Sequence, residues 1–233
     1  TPSFDVFLKY DALTRLLFDY ADAHPTLVSV DSIGKSHEGR DIWVATATAT
    51  ATGVAADKPA FWADGNIHAA ELTASTAVLY FLHQLCSGYG TATEEGRQIT
   101  QLLDTRTIYL CPRLNPDGAE LALADRPRHI RSSTRRYPFD EEPVEGLTME
   151  DVDGDGRILS MRIPDPHGAY KKCEQDPRLM VAREPGEFGG EYYRLMPEGT
   201  LKNWDGLTVK VNKDVEGLDL NRNFPAFWRQ EFE

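Results

Sequence analysis

Apolar residues recur every three or four positions near the start of the chain, at Leu13, Leu16, Leu17 and Tyr20. This spacing predicts an amphipathic helix over residues 10–23, stopped at His24-Pro25. The pattern then shortens to strand length in Leu27-Val28-Ser29-Val30 and Ile42-Trp43-Val44-Ala45, on either side of a polar loop from Gly34 to Arg40. The Ala/Thr alternation from Thr46 to Thr52 reads as a strand edge. An apolar run from Ala60 to Ile67 leads into a helical pattern from Glu71 to Leu85, closed by Gly88. Thr107-Ile108-Tyr109-Leu110-Cys111 reads as another strand, ended by Pro112. Strands alternating with helices at these intervals predict an α/β fold, a mixed sheet with helices on both faces.

Residues 137–215 break this rhythm, being rich in Pro, Gly and acidic residues with few long apolar periods. So long a stretch is not a structureless loop in a compact domain. It reads as an elaborated insertion within one domain spanning 1–233. Strand-to-helix character resumes at Leu218-Asp219-Leu220 and continues to Phe227-Trp228.

Composition narrows the function classes. The chain has 233 residues, 41% hydrophobic and 10% aromatic, which suits a folded globular protein rather than a disordered one. A net charge of −12 argues against a nucleic-acid partner, because phosphate neutralisation needs clustered Lys and Arg. No apolar run approaches the roughly 20 residues that span a bilayer, so no membrane partner is expected. The N-terminus shows neither initiator Met nor signal-peptide pattern, and the compartment stays open. Cys86, Cys111 and Cys173 are too few and too scattered for a disulfide framework.

Two short motifs carry chemistry. His68 and Glu71, three apart at a predicted strand-to-helix junction, project from one face if they open a helix. Imidazole nitrogen and carboxylate oxygen are both zinc donors, and strand carboxyl ends are where α/β proteins place their sites. The bland alternative is a surface pair. Asn221-Arg222 offers a planar guanidinium fork and an amide, suited to a carboxylate, or else to capping backbone carbonyls.

Four segments together resemble one family. Ser32-Ile33-Gly34-Lys35-Ser36-His37-Glu38-Gly39-Arg40-Asp41-Ile42, Gly65-Asn66-Ile67-His68-Ala69-Ala70-Glu71, Pro112-Arg113-Leu114-Asn115-Pro116-Asp117-Gly118 and Asp219 to Phe224 are similar, in order, to motifs of the M14 zinc carboxypeptidases. The resemblance covers everything outside the insertion. It implies a carboxypeptidase-like (phosphorylase/hydrolase-like) fold, with His68 and Glu71 as two zinc ligands. Asn221 and Arg222 would hold the free C-terminal carboxylate of a peptide substrate. Arg128-His129-Ile130-Arg131-Ser132 resembles the family's Arg-x-x-Arg-Ser, which makes Arg131 the group that polarises the scissile carbonyl, with Arg135 as the alternative.

In that family the third zinc ligand, a Tyr and the general base lie beyond the Asn-Arg motif, and this sequence ends 11 residues after Arg222. The resemblance therefore implies a C-terminally truncated domain, inactive alone, with an open sheet edge and exposed apolar surface. His83 lies roughly 18 Å along a helix from Glu71 and does not substitute. His37, His129 and His167 fall in loops. Further readings are an acyl-amino-acid deacylase related to the same family, a catalytically dead module that binds peptide carboxylates, and a calcium-ordered structural domain. The last rests on Asp151-Val152-Asp153-Gly154-Asp155-Gly156-Arg157-Ile158, whose alternating oxygen donors match the first half of a calcium loop. Asp151, Asp153, Asp155 and the Arg157 carbonyl would be ligands, with Glu150 or Asp165 completing the set.

Overall fold

The structure is a computed structural model describing residues 3–125, 127–136, 145–212 and 217–228. Arg126 of the basic segment, positions 137–144 and 213–215 of the expected insertion, and position 216 lie outside the described residues. The chain divides into two compact units, one of Thr1–Asp140 with Val215–Glu233, the other of Glu141–Asp214.

The first unit opens with α1 (Tyr10–Ala23), whose buried stripe is Leu13, Leu17 and Tyr20. Strands β1 (Val28–Lys35) and β2 (Asp41–Ala47) form an antiparallel pair whose register shifts between Ser32 and Lys35. After two short 3-10 turns come β3 (Ala60–Asp64), α2 (Leu72–Gly88), α3 (Glu94–Thr105), β4 (Thr107–Cys111) and α4 (Pro116–Ala122). The sheet order is β1-β2-β4-β3, with β3 parallel to β4 and the other pairs antiparallel, so the sheet is mixed as expected.

Period-2 alternation builds the core. Ala45 and Ala47 on β2 lie opposite Leu110 and Ile108 on β4, so all four point to one face. There they join Leu13 and Leu17 of α1, Val78, Leu79, Leu82 and Leu85 of α2, and Leu103 of α3 in a single cluster. The opposite face presents Trp62 beside Tyr109, ring centroids 6.5 Å apart. β3 lies at one edge of the sheet, and its Phe61 and Trp62 are 57% and 45% exposed.

Helix ends follow local chemistry. Thr93 accepts the Gly96 N–H to start α3, and Asn115 accepts the Gly118 N–H to start α4, with Pro116 following as the first helical residue. Two expected strand segments are not formed. The Ala/Thr alternation continues β2 only to Ala47, and Thr50–Thr52 is a 3-10 turn. At Leu218-Asp219-Leu220 the Asp219 carboxylate accepts the Asn221 N–H, turning the chain into a 3-10 turn over Leu220–Arg222.

The second unit contains β5 (Gly146–Met149), β6 (Ser160–Pro164), β7 (Tyr170–Lys172), β8 (Met180–Ala182), β9 (Tyr193–Pro197) and β10 (Gly199–Lys202). β5 pairs with β10, and a four-stranded sheet runs β6-β9-β7-β8. Its buried apolar set is small, Leu147, Tyr192 and Tyr193, and the Arg183 guanidinium lies 4.0 Å over the Tyr192 ring. Among the described residues, no helix is long and apolar enough to cross a membrane.

Candidate active site

The parallel pair β3 and β4 ends with Asp64 opposite Cys111, and the segment after each strand enters the site. Gly65 leaves β3 so close to α2 that an added Cβ would meet the Ala74 carbonyl at 2.7 Å, so glycine is required there. The chain then crosses to α2 through residues 66–71, carrying His68 and Glu71.

His68 is buried, 7% exposed. Its Nδ1 lies 2.9 Å from Glu71 Oε1. Its Nε2 approaches Asp219 Oδ1 at 3.3 Å but falls short of hydrogen-bond geometry, leaving a buried ring nitrogen beside a carboxylate. Arg131 Nε donates to Asp219 Oδ2 at 2.9 Å, and Arg131 Nη1 stands 3.6 Å from Glu71 Oε1. Burial alone would raise the Asp219 pKa; the Arg131 guanidinium, the Asn221 N–H and nearby His68 outweigh it and hold the carboxyl below its usual range.

His68, Glu71, Arg131 and Asp219 form a closed ring of contacts. His68 Nδ1 and Glu71 Oε1 are a hydrogen-bond length apart, and both are zinc donor atoms, so the pair fits two positions of a zinc site. The Asp219 carboxylate faces the other ring nitrogen of His68.

Asn221 and Arg222 follow Asp219 on the 3-10 turn, and both are exposed. Among the described residues, Arg222 Nη1 donates to the carbonyl of Asn221 at 3.3 Å, leaving most of the guanidinium open to an incoming carboxylate. Arg135 lines a cavity of about 710 Å³ with Lys35, Ser36, His37, Leu218 and Asn223. His83 Nδ1 lies 2.9 Å from the Tyr20 hydroxyl.

Sequence reasoning assigned no role to Asp219, Asn66, Asn115 or Asp117. Asp117 is 4% exposed, accepts the Ser36 hydroxyl and Arg40 Nη1 at 2.7 Å each, and takes the Glu38 N–H at 2.9 Å. It thereby ties the Ser36–Arg40 loop to the start of α4. A signal was present for Asp219, an acid two residues before the Asn-Arg pair. Nothing in the sequence shows which distant donors meet at Asp117.

In the second unit, Asp151 and Asp153 converge with Glu198, their carboxylate oxygens within 4.8 Å of one another. Asp155 accepts the Arg157 N–H instead of joining them. The Glu150 side chain pairs with the Thr200 hydroxyl, and Asp165 with Arg194, so neither expected completing residue is in the group. Glu198 supplies the third carboxylate. It accepts the N–H groups of Val152, Asp153 and Leu159, which hold its pKa below the usual carboxylate range.

The sequence profile of the zinc carboxypeptidases, peptidase family M14, matches residues 13–154, more than half of the chain and a range that includes His68, Glu71 and Arg131. The chain belongs to this family. A zinc carboxypeptidase of Saccharothrix mutabilis subsp. capreolus is 35% identical over 101 residues, covering 43% of this chain and 22% of that protein. Carboxypeptidase A2 of Rattus norvegicus is 34% identical over 116 residues, covering 50% and 26%. The chain thus spans about a quarter of the length of these relatives. Two crystal structures share the fold. Thrombin-activatable fibrinolysis inhibitor superposes with a TM-score of 0.51 at 22% identity, over 59% of this chain and 32% of that one. Carboxypeptidase A of Helicoverpa armigera gives 0.50 at 24% identity, over 62% and 35%.

Proposed function

We propose that this chain carries the substrate-carboxylate site and two zinc ligands of a metallocarboxypeptidase that removes C-terminal residues from peptides. The observation that carries the reading is the meeting of His68, Glu71 and Arg131, all within the range matched by the family profile, with Asp219. His68 and Glu71 would hold the zinc, which when bound supplies Lewis acidity toward the scissile carbonyl and a water of lowered pKa. Asp219, kept ionised, faces His68 Nε2 at 3.3 Å, and a proton on that nitrogen would leave Nδ1 free to ligate. Arg131 leaves the ring on the side of Glu71 and donates to the oxyanion as the carbonyl is attacked. Arg222, assisted by the Asn221 amide, pairs with the terminal carboxylate and so sets the register of the peptide.

The test is hydrolysis of one peptide in two forms, with a free and an amidated C-terminus, by the protein as encoded by its gene. The free form is trimmed and the amide is not, and Arg222→Ala raises KM for the free form at least tenfold. Equal cleavage of both forms refutes the carboxylate reading. Absence of cleavage together with retained, Arg222-dependent binding of the free form favours a peptide-carboxylate reader instead.

For the Asp151 loop we propose calcium as an ordering ion held by Asp151, Asp153 and Glu198. The support is the alternating Asp pattern together with a buried carboxylate brought in from the turn between β9 and β10. Its role is to stabilise the second unit, and it takes no part in hydrolysis.

A further inference from the structure

Two buried side-chain amides organise the backbone beneath the His68 and Arg131 side chains. Asn66 is 1% exposed and adopts φ of +57°, a left-handed conformation uncommon outside glycine. Its Nδ2 donates to the carbonyls of His68 at 2.7 Å and Ala69 at 3.0 Å, while its Oδ1 accepts the Ser75 hydroxyl at 3.2 Å. Ser75 receives in turn the Nε of the buried Arg113 at 3.3 Å. Asn115 is 3% exposed. Its Nδ2 donates to the Ser132 carbonyl at 2.9 Å and reaches the Ile67 carbonyl at 3.4 Å. Backbone bonds reinforce both links, from Asn115 N to the Asn66 carbonyl at 3.1 Å and from Ala69 N to the Arg131 carbonyl at 3.3 Å.

The carbonyls of residues 67, 69 and 132 lie outside regular structure, where a buried acceptor needs a donor from elsewhere, while that of His68 also accepts the Glu71 N–H at 3.1 Å. The amides meet that need in a directional way. Asn66 folds the ligand loop onto itself, and Asn115 ties that loop to the segment bearing Arg131. We infer that Asn66 and Asn115 form a positioning clamp, fixing the backbone of His68 relative to that of Arg131. Neither touches the reacting atoms. The inference rests on the carboxypeptidase reading of the site.

Each residue also has a purely local explanation, and the variants separate the two. Asn tolerates the left-handed conformation, so Asn66→Gly keeps that freedom while removing both donors. Asn115 caps α4 through its Oδ1, so Asn115→Asp keeps a capping acceptor while removing the donor to Ser132. Local roles alone predict that both variants are silent.

The experiment measures zinc dissociation constants by chelator competition and steady-state kinetics on a free C-terminal peptide, using the protein as encoded by its gene. Asn66→Gly weakens zinc binding by about 10–100-fold, as expected for residues that orient ligands. Asn115→Asp lowers kcat by up to about 100-fold through displacement of Arg131, while KM, governed by Arg222, stays within about threefold. Melting of the zinc-free variants checks folding, and either variant alone suffices if the other fails to fold. Zinc affinity and kcat within twofold of wild type in a folded variant overturn the clamp and leave the carboxypeptidase reading standing. A wild-type protein that binds no zinc overturns both.

Discussion

Replacing Asp117 with Ala tests whether one carboxylate holds the Ser36–Arg40 loop to the start of α4. The substitution removes acceptors for the Ser36 hydroxyl, Arg40 Nη1 and the Glu38 N–H. Hydrogen bonds to a charged partner contribute about 1.5–3 kcal/mol each, but these donors border solvent. The Arg40 side chain is 29% exposed and keeps Glu38 at 2.6 Å after the loss. The value of an ordinary bond therefore applies, about 1 kcal/mol each, and loss of an acid from the first turn of α4 adds about 0.3–1 kcal/mol. The expected cost is about 3–4 kcal/mol, and Asp117→Asn, which keeps one acceptor, costs about half. Urea unfolding at pH 7, followed by tryptophan fluorescence and far-UV circular dichroism, reads the change as a lower midpoint. Arg40→Ala costs less in the Asp117→Ala background than alone, with a coupling of about 0.5–3 kcal/mol. A loss under 1 kcal/mol, or strict additivity with Arg40→Ala, refutes the reasoning.

Other outcomes follow from burial and chemistry. Leu17→Ala, at a fully buried position of α1, costs about 2–5 kcal/mol, whereas Phe18→Ala, whose ring meets Trp43 edge-on while 39% exposed, costs about 1 kcal/mol; the same urea titration separates them. Burial pushes the Cys86 and Cys111 thiols up to about 12, so iodoacetamide at pH 8 followed by mass mapping labels partly exposed Cys173 and spares both; labelling of Cys86 in the folded protein contradicts the core assignment. Glu198 has a depressed pKa, so its stabilising contribution is present above the ordinary carboxylate range and lost as pH falls through the lower folded value. Glu198→Gln therefore lowers the melting temperature at pH 7 and flattens its acid dependence. It also removes any stabilisation by added calcium, and an unchanged calcium response rules Glu198 out of that site.

The helix from Tyr10, the strands at Val28, Asp41 and Thr107, and α2 were legible because each writes a clean period of apolar positions. The pairing of His68 with Glu71 was legible because they lie three residues apart, and the structure brings their side chains within 2.9 Å. What could not be read is what long-range packing decides. Asp219 turns the chain by accepting a nearby N–H, which suppresses the strand that Leu218 and Leu220 suggest. Glu198 lies more than 40 residues from the loop it caps, and a short acidic motif carries no sign of a distant partner. The amides of Asn66 and Asn115 look like ordinary turn residues in sequence, and only the buried carbonyls around them reveal the second role.

The most direct test of the central claim is zinc content. Purified after dialysis against zinc-free buffer, the protein as encoded by its gene retains one zinc per chain by mass spectrometry of the metal, and both His68→Ala and Glu71→Gln lose it while remaining folded. Full zinc occupancy in either folded variant, or none in the wild type, contradicts the assignment of His68 and Glu71 as ligands.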